Sequence, residues 1–203
     1  MNDDAARALK AKLREEAKAR RARMRAEEAA AAALAVRDRV LGSALVPPAT
    51  TTVSGFWPIG DEFDPRPLME ALAARGHRLC LPVVVGKGRA LAFRAWAPGD
   101  PLERAGFGLS VPAWDAAPAI PRFLIVPLLA FDRRGYRIGY GAGFYDRTIA
   151  ELKSHASPVV AVGVGFALQE VPEVPALAHD QRLDAIATED YLIAAGPEMG
   201  RAS

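Results

Sequence analysis

Glycines, arginines and two aspartates are concentrated in one stretch of the chain, residues 126–147, VPLLAFDRRGYRIGYGAGFYDR. Its apolar start predicts a buried strand over 123–131, its glycines predict a loop, and residues 148–153 are typical of a helix. This geometry binds phosphate, because backbone N–H groups converge in the loop and the helix N-terminus adds partial positive charge. The alternative is a tight strand-to-helix connection without a ligand, since neither GxxxxGK[ST] nor a clean GxGxxG is present.

Charged side chains in the same stretch could complete an anion site. Arg134 and Arg137 carry planar donor forks that suit phosphoryl oxygens. Asp146 is predicted to lie in the first turn of the helix, where a carboxylate is well placed to hold a Mg²⁺ ion that bridges phosphates. The stretch therefore combines the donors and the metal ligand that phosphate chemistry needs.

Two basic residues near the N-terminus could reach the same phosphates. Lys10 and Arg14 are four residues apart and share one face of a predicted helix, and Lys18 and Arg21 continue the charged run. The alternative is a solvated charged face, which is the usual role of such a run. The local sequence does not decide between the two interpretations.

An aromatic residue and a carboxylate follow an earlier strand, predicted over 51–57. Trp57 and Glu62 lie where this strand gives way to a loop, at the edge where open α/β sheets bind ligands. An aromatic face beside a carboxylate suits a flat, N–H-rich heterocycle such as a pterin, because the carboxylate accepts what the ring donates. Alternatively, Trp57 belongs to the core and Glu62 is an acid that precedes the next helix.

The pair His179–Asp180 lies in a proline-rich loop and invites interpretation as a catalytic dyad. Residues adjacent in sequence rarely face each other, so we expect Asp180 to serve a second Mg²⁺ or phosphate role. His179 could equally be an exposed loop residue.

The elements that must position these residues alternate between helices and strands. The N-terminal segment, rich in Ala, Arg, Glu and Lys, predicts one long helix or two, and a hairpin turn is expected at residues 86–88. Further helices are expected at 65–75 and 148–153, and strands at 51–57, 78–85, 90–96, 123–131, 158–166 and 183–188. This order favours a three-layer α/β/α domain with a mostly parallel central sheet, a Rossmann-like arrangement.

Length and composition indicate one globular unit. The chain has 203 residues, 51% of them hydrophobic, so we expect residues 1–203 to form a single domain with the helical segment 1–41 packed on it. The net charge of +2 gives no case for nucleic-acid binding. The single cysteine, Cys80, favours a reducing compartment, and no apolar stretch approaches the roughly 18 residues of a membrane span. We expect a soluble, cytoplasmic monomer with no nucleic-acid or membrane partner.

The central stretch resembles the central motif of the 5-formyltetrahydrofolate cyclo-ligases, also called methenyltetrahydrofolate synthetases. Three further blocks are similar in order and spacing: Lys10-x-x-x-Arg14, FWPIGDEFD at 56–64, and VGVGFALQ…AHDQRLDAIATED at 162–190. The resemblance spans about residues 7–190. It implies that the enzyme uses ATP and Mg²⁺ to convert 5-formyltetrahydrofolate into 5,10-methenyltetrahydrofolate, and that it phosphorylates the formyl oxygen before ADP and phosphate are released.

The resemblance also implies a role for each matching residue. Arg137 and Tyr145 are the candidate catalytic residues, and Trp57 and Glu62 would contact the folate. Asp146 and Asp180 would bind Mg²⁺. Residues 140–144 would lie between folate and nucleotide, and the remaining phosphate contacts come from a larger set. That set comprises Lys10, Arg14, Arg137, Ile138, Gly139, Tyr140, Gly141, Ala142, Gly143, Phe144 and Tyr145.

Two other functions compete with this interpretation. A sugar-phosphate isomerase or acyl-CoA transferase-like enzyme of similar fold would need a carboxylate base or nucleophile over the loop, for which Glu62 is the obvious candidate, and ATP would be irrelevant. An RNA- or ribosome-associated protein could use the basic helix at residues 7–25. That class should show aromatic side chains among the basic ones, and this helix has none.

Overall fold

The computed structural model describes residues 2–155 and 158–194. Within them the N-terminal segment forms two helices, and the first begins where the Asn2 side chain accepts a hydrogen bond from the Ala5 N–H at 2.9 Å. None of the described helices is long and apolar enough to cross a membrane. The helices are α1 (Asp3–Arg21), α2 (Ala26–Leu41), α3 (Arg66–Ala74) and α4 (Phe144–Ser154).

Short strands lie between these helices along the chain, and 3₁₀ turns are present at Gly106–Gly108 and Ala167–Gln169. The strands are β1 (Thr52–Ser54), β2 (Arg78–Val83), β3 (Ala92–Ala95), β4 (Leu102–Arg104), β5 (Ser110–Pro112), β6 (Phe123–Pro127), β7 (Ala130–Phe131), β8 (Arg137–Ile138), β9 (Val160–Val164), β10 (Ala185–Ala187) and β11 (Leu192–Ala194).

Seven strands form the central sheet, in the order β11-β10-β9-β6-β1-β2-β3. Its five inner strands run parallel, and β3 and β11 pair antiparallel at the two edges. The sheet confirms the predicted mostly parallel arrangement. Two hairpins, β4–β5 and β7–β8, lie outside it.

Helices cover both faces of the sheet because its strands are apolar on both faces. Leu79 and Leu81 of β2 pack in the cluster with α2 and α3, whereas Cys80 between them packs in the cluster with α4. This alternation follows from the period of two in a strand. The three predicted layers are therefore α2 and α3, the sheet, and α4.

Helix α1 packs at one end of the sheet, on the β7–β8 hairpin. Its fully buried Ala17 joins an apolar cluster with Leu129, Ala130 and Ile138 of the hairpin. A small side chain at this point lets the helix approach closely. The packing fixes which face of α1 is turned toward the residues that follow β8.

Several predicted boundaries are wrong, most importantly the strand at 123–131. The chain leaves the sheet after Pro127, and the Leu129 N–H bonds to the Ile138 carbonyl at 2.7 Å, so residues 130–138 form a separate hairpin. An apolar run shows burial but not where the hydrogen-bonding partner changes. Strand β1 is shorter than predicted, β11 was not predicted, and α4 begins at Phe144 rather than residue 148.

Candidate active site

The candidate site lies where the strand order reverses. From β1 the sheet continues through β2 and β3 on one side, and from β6 through β9 and β10 on the other. In open α/β sheets the crevice beyond the carboxyl ends of such a strand pair is the usual ligand site. Two segments leave the sheet there: the loop of residues 55–65 after β1, which carries Trp57 and Glu62, and the hairpin after β6, which leads to residues 139–143, here named the glycine loop.

The glycine loop ends directly at helix α4. Gly143 is the N-cap residue, with φ of +65°, and no side chain caps the helix. The N–H groups of the first helical turn have no partner within a helix, so an uncapped N-terminus leaves them for an anion. Phe144, Tyr145 and Asp146 form this first turn, as predicted for Asp146.

Arg14 of α1 lies against the glycine loop. Its Nε donates to the Gly139 carbonyl at 2.8 Å. A Cβ on Gly141, where φ is +98°, would stand 3.3 Å from Nη2 of Arg14. The structure therefore places Arg14 at the loop rather than on a solvated face. Lys18 lies outside this face, since it is 42% exposed and pairs with Glu15 at 2.9 Å.

The two candidate metal ligands each face a cation. Lys10 forms an ion pair with Asp180, and both side chains are 12% exposed. Arg137 donates from Nη2 to Oδ1 of Asp146 at 3.0 Å, and the Gln181 N–H donates to the same oxygen at 3.0 Å. Asp146 and Asp180 are thus joined through the backbone at residue 181.

The arrangement around these carboxylates suits Mg²⁺ only together with phosphate. Among residues 2–155 and 158–194, no cluster of three or more His, Cys, Asp or Glu side chains could hold a metal ion. Mg²⁺ characteristically binds through one or two carboxylates, with substrate phosphates and water completing its octahedron. Asp146 and Asp180 fit that donor set. His179 does not form a dyad, because it is 70% exposed and its Nε2 lies 3.8 Å from Asp180.

Glu62 lies in a polar cluster between the two loops. Burial raises the pKa of its carboxyl, and the Ile59 N–H, the Tyr140 hydroxyl and the charge of Arg21 oppose that rise. The Ile59 N–H donates to Oε2 at 2.9 Å. The carboxylate is therefore held in place by the backbone of its own loop and faces Tyr140 of the glycine loop.

Tyr145 has a buried hydroxyl without a hydrogen-bond partner among the described residues. Burial raises its pKa, the nearby Glu62 raises it further, and Arg137 opposes the shift. The hydroxyl is thus neutral, close to two candidate site residues and available to a ligand. It can donate a hydrogen bond but cannot act as a base near neutral pH.

Trp57 contacts a different part of the loop region. Its ring packs edge-to-face on Trp96 with centroids 5.7 Å apart, and the guanidinium of Arg66 lies 5.1 Å above it. These residues border a cavity of about 260 Å³, together with Asp64 and Glu70. Trp57 therefore packs against the core with part of its ring and lines this cavity with the rest.

Arg134 is the predicted site residue that the structure does not bring to the glycine loop. It lies in the turn of the β7–β8 hairpin, at the opposite end from Gly139, and its Nη2 donates to Asp132 at 2.7 Å and to the Val174 carbonyl at 2.8 Å. Its Nη1 donates to Glu173 at 3.0 Å. The reason is Asp132, whose buried carboxylate accepts hydrogen bonds from Arg134 and so keeps this arginine in the turn. The sequence signal for this turn was the aspartate two residues before the arginine, because Asp in a turn bonds to groups two residues further on.

Sequence reasoning gave no role to Arg21, Asp61 or Gln181. Arg21 is 3% exposed and donates to Asp61 and Tyr140. The signal was the spacing of positions 10, 14, 17 and 21, which places Arg21 on the same helix face as Lys10, Arg14 and Ala17. Gln181 acts through its backbone, which a sequence pattern does not reveal.

Comparison with known proteins gives consistent results. A model described as the 5-formyltetrahydrofolate cyclo-ligase family matches residues 6–189. The chain is 35% identical over 145 residues to 5-formyltetrahydrofolate cyclo-ligase of Mycolicibacterium smegmatis, covering 68% of this chain and 73% of the relative. It is 34% identical over 143 residues to the enzyme of that name from Escherichia coli K12, covering 68% and 77%.

Two solved structures share the fold. The NMR structure of Aquifex aeolicus 5,10-methenyltetrahydrofolate synthetase superimposes with a TM-score of 0.75 and 26% identity, over 96% of each chain. The synthetase of that name from Mycoplasma pneumoniae gives a TM-score of 0.70 over 89% of this chain and 98% of its own, and at 18% identity it supports the fold alone.

Proposed function

The chain belongs to the 5-formyltetrahydrofolate cyclo-ligase family, and we propose that its site closes 5-formyltetrahydrofolate to 5,10-methenyltetrahydrofolate with ATP and Mg²⁺. In this reaction the formyl oxygen takes the γ-phosphoryl group and ADP leaves. N10 of the folate then attacks the activated carbon and gives up its proton, and the oxygen departs with the phosphate as the ring closes. Phosphorylation is needed because a formyl oxygen is otherwise a poor leaving group. The protein mainly positions the reactants and neutralises charge.

The observation that carries the proposal is the meeting of Arg14 with the glycine loop at the uncapped N-terminus of α4. A cationic donor fork, the glycine loop and a helix N-terminus thus lie next to one another. Each of these attracts phosphate, and together they suit a polyphosphate. We assign the ATP phosphates to residues 139–145, Arg14 and Lys10.

We assign the metal to Asp146 and Asp180. Held by these two carboxylates, Mg²⁺ would offset the negative charge that builds on the phosphate groups. Arg137 holds Asp146 in place through its bond to Oδ1, and its second bond, from Nη1 to the Gln181 carbonyl at 2.8 Å, fixes the loop next to Asp180. Arg137 thus positions both ligands, and a phosphate contact from this residue remains a prediction.

We assign the folate to the space between Glu62 and the glycine loop. Glu62 accepts N–H groups of the pterin, and the Tyr140 ring, which is 52% exposed, offers a stacking surface. The neutral Tyr145 hydroxyl donates to the oxygen of the reacting formyl group. Trp57 would contact the ligand from the cavity beside Trp96.

Three further expectations belong to this proposal. We propose that residues 1–203 act as one domain, that the protein is a monomer, and that it works in the cytoplasm, where thiols such as the free Cys80 stay reduced. None of the described contacts favours an isomerase or a CoA transferase.

One absorbance experiment tests the proposed reaction. Purified protein is mixed with 5-formyltetrahydrofolate, and methenyltetrahydrofolate is followed with MgATP, without ATP, and with EDTA. We expect a rise only when both ATP and Mg²⁺ are present. A flat trace from folded protein would reject the reaction, and sugar phosphates and CoA esters would then be screened without ATP.

A further inference from the structure

The last turn of α1 buries a charge to which the proposed function gives no role. The Arg21 side chain is 4% exposed, whereas Lys12 on the same helix is 72% exposed. A guanidinium removed from water is costly unless it is paired and hydrogen-bonded. The partners of Arg21 therefore indicate what the residue does.

Arg21 joins the two loops of the site. Its Nη2 donates to Oδ1 of Asp61 at 2.7 Å and to the Tyr140 hydroxyl at 3.1 Å. Asp61 lies beside Glu62 in the loop after β1, and Tyr140 lies in the glycine loop. The Nη2 atom of Arg21 thus joins the loop of residues 55–65 to the glycine loop.

The bond from Arg21 also orients the Tyr140 hydroxyl. A phenol has one proton to donate, and accepting from Arg21 directs that proton to another acceptor. The Glu62 carboxylate interacts with this hydroxyl, which lowers the pKa of Glu62. Arg21, Tyr140 and Glu62 therefore form a chain in which the buried cation fixes the Tyr140 hydroxyl beside the Glu62 carboxylate, which the Ile59 N–H also holds.

We propose that Arg21 is a positioning residue for the folate half of the site. It holds the Tyr140 ring and the Glu62 carboxylate at a fixed separation, so that one stacks on the pterin while the other accepts its N–H groups. The identity of this ligand rests on the proposed function. Helix α1 then serves both substrates: Lys10 and Arg14 bind phosphates, and Arg21 at its end arranges the folate pocket.

The charges around Glu62 give the proposal a pH signature. The groups facing it are Arg21 of α1, Asp61 of its own loop, Tyr140 of the glycine loop and Tyr145 of α4. Arg21 is the cation in this set. Removing Arg21 therefore raises the pKa of Glu62. Since the ionised carboxylate is the form that accepts the N–H groups of the folate, acidification should abolish folate binding at a higher pH in the variant than in wild type.

The test compares Arg21→Met with wild type and with Arg23→Met, a matched variant of an exposed arginine on the following turn. Equilibrium dissociation constants are measured for 5-formyltetrahydrofolate and for MgATP, with circular dichroism and thermal unfolding as fold controls. We expect Arg21→Met to weaken folate binding about tenfold or more, the range for a hydrogen bond to a charged group, with MgATP affinity within about twofold. The acid limb of folate binding should move to higher pH, while Arg23→Met should match wild type.

A second variant covers the case in which Arg21→Met does not fold. Tyr140→Phe removes only the hydroxyl that links Arg21 to Glu62, and it should weaken folate binding in the same way. Where both single variants fold, the double variant should bind folate no more weakly than Arg21→Met alone, because the residues act through one chain.

Unchanged folate affinity in the folded variants, or an equal loss for folate and MgATP, would overturn the positioning role. The test is separate from that of the reaction itself. A wild-type protein that binds 5-formyltetrahydrofolate without closing it would reject the proposed reaction, and the dissociation constants would still decide the role of Arg21.

Discussion

Substitution of Gly141 tests whether the glycine loop and Arg14 bind phosphate, because both the backbone conformation at Gly141 and the adjacent Arg14 side chain exclude a Cβ. Its φ of +98° is a conformation that L side chains rarely adopt, and a Cβ would lie 3.3 Å from Nη2 and 3.4 Å from Cζ of Arg14. Holding a non-glycine residue there costs on the order of 1–3 kcal/mol. The Gly141→Ala loop is therefore expected to relax and to push the Arg14 guanidinium away.

The expected functional loss follows from the contact that this relaxation breaks. Arg14 donates to the Gly139 carbonyl at 2.8 Å, and a hydrogen bond from a charged donor is worth about 1.5–3 kcal/mol. We expect kcat/KM for MgATP, measured at saturating 5-formyltetrahydrofolate, to fall roughly ten- to hundredfold. Binding of folate in the absence of ATP should change little.

Gly139→Ala is the matched control for this prediction. A Cβ on Gly139 meets no atom within 4 Å, and its φ is not in the left-handed region. This variant should lose much less kcat/KM for MgATP than Gly141→Ala, because its Cβ displaces neither the loop backbone nor Arg14. Equal behaviour of the two alanine variants, with both folded, would refute the argument that loop conformation and Arg14 form the phosphate site.

Three other predictions concern the charged residues. Asp146→Asn keeps the acceptor for Arg137 but removes the charge, so turnover should fall at least about a hundredfold and need more Mg²⁺, measured by titrating Mg²⁺ at fixed ATP; wild-type Mg²⁺ dependence would contradict the metal assignment. Mg²⁺ alone should bind weakly by calorimetry, because Asp180 is already paired with Lys10, and tight binding without nucleotide would disprove this. Arg134→Gln should lower the melting temperature by roughly 2–6 °C, through loss of the hairpin bonds, and leave KM for MgATP unchanged; a raised KM would return Arg134 to the phosphate site.

The fold was largely predictable because strands and helices follow local patterns. The alternation of apolar segments with helix signals identifies a three-layer α/β domain, and glycine after α3 marks its end, with φ of +87° at Gly76. The hairpin at residues 130–138 was not predictable from the apolar run alone. Leu129 bonds to Ile138 instead of continuing the β6 ladder, and only the three-dimensional pairing reveals that change.

The site residues show the same division between what is local and what is distant. Asp146 was placed correctly in the first turn of α4, because the relevant signal lies within a few residues. Lys10 and Arg14 have their partners more than a hundred residues away, so helical spacing shows that they share a face but not what that face contacts. The family resemblance, rather than the pattern, assigned them to phosphate. Arg134 and Arg137 have the same chemistry, and only the hairpin geometry separates a turn residue from a site residue.

The ion pairs among these residues also explain how the proposed site for a polyanion and a cation can be stable without its ligands. Lys10 is paired with Asp180, and Arg137 with Asp146, so these four charges are balanced within the protein. Unpaired, such charges would destabilise the fold by several kcal/mol. In the proposed site, phosphate would compete for Lys10, and Mg²⁺ would compete for Asp180, which Lys10 then releases. Each ligand therefore frees a group that the other ligand needs, so binding of one should raise the affinity for the other. By linkage, phosphate and Mg²⁺ should raise each other's affinity by the same factor.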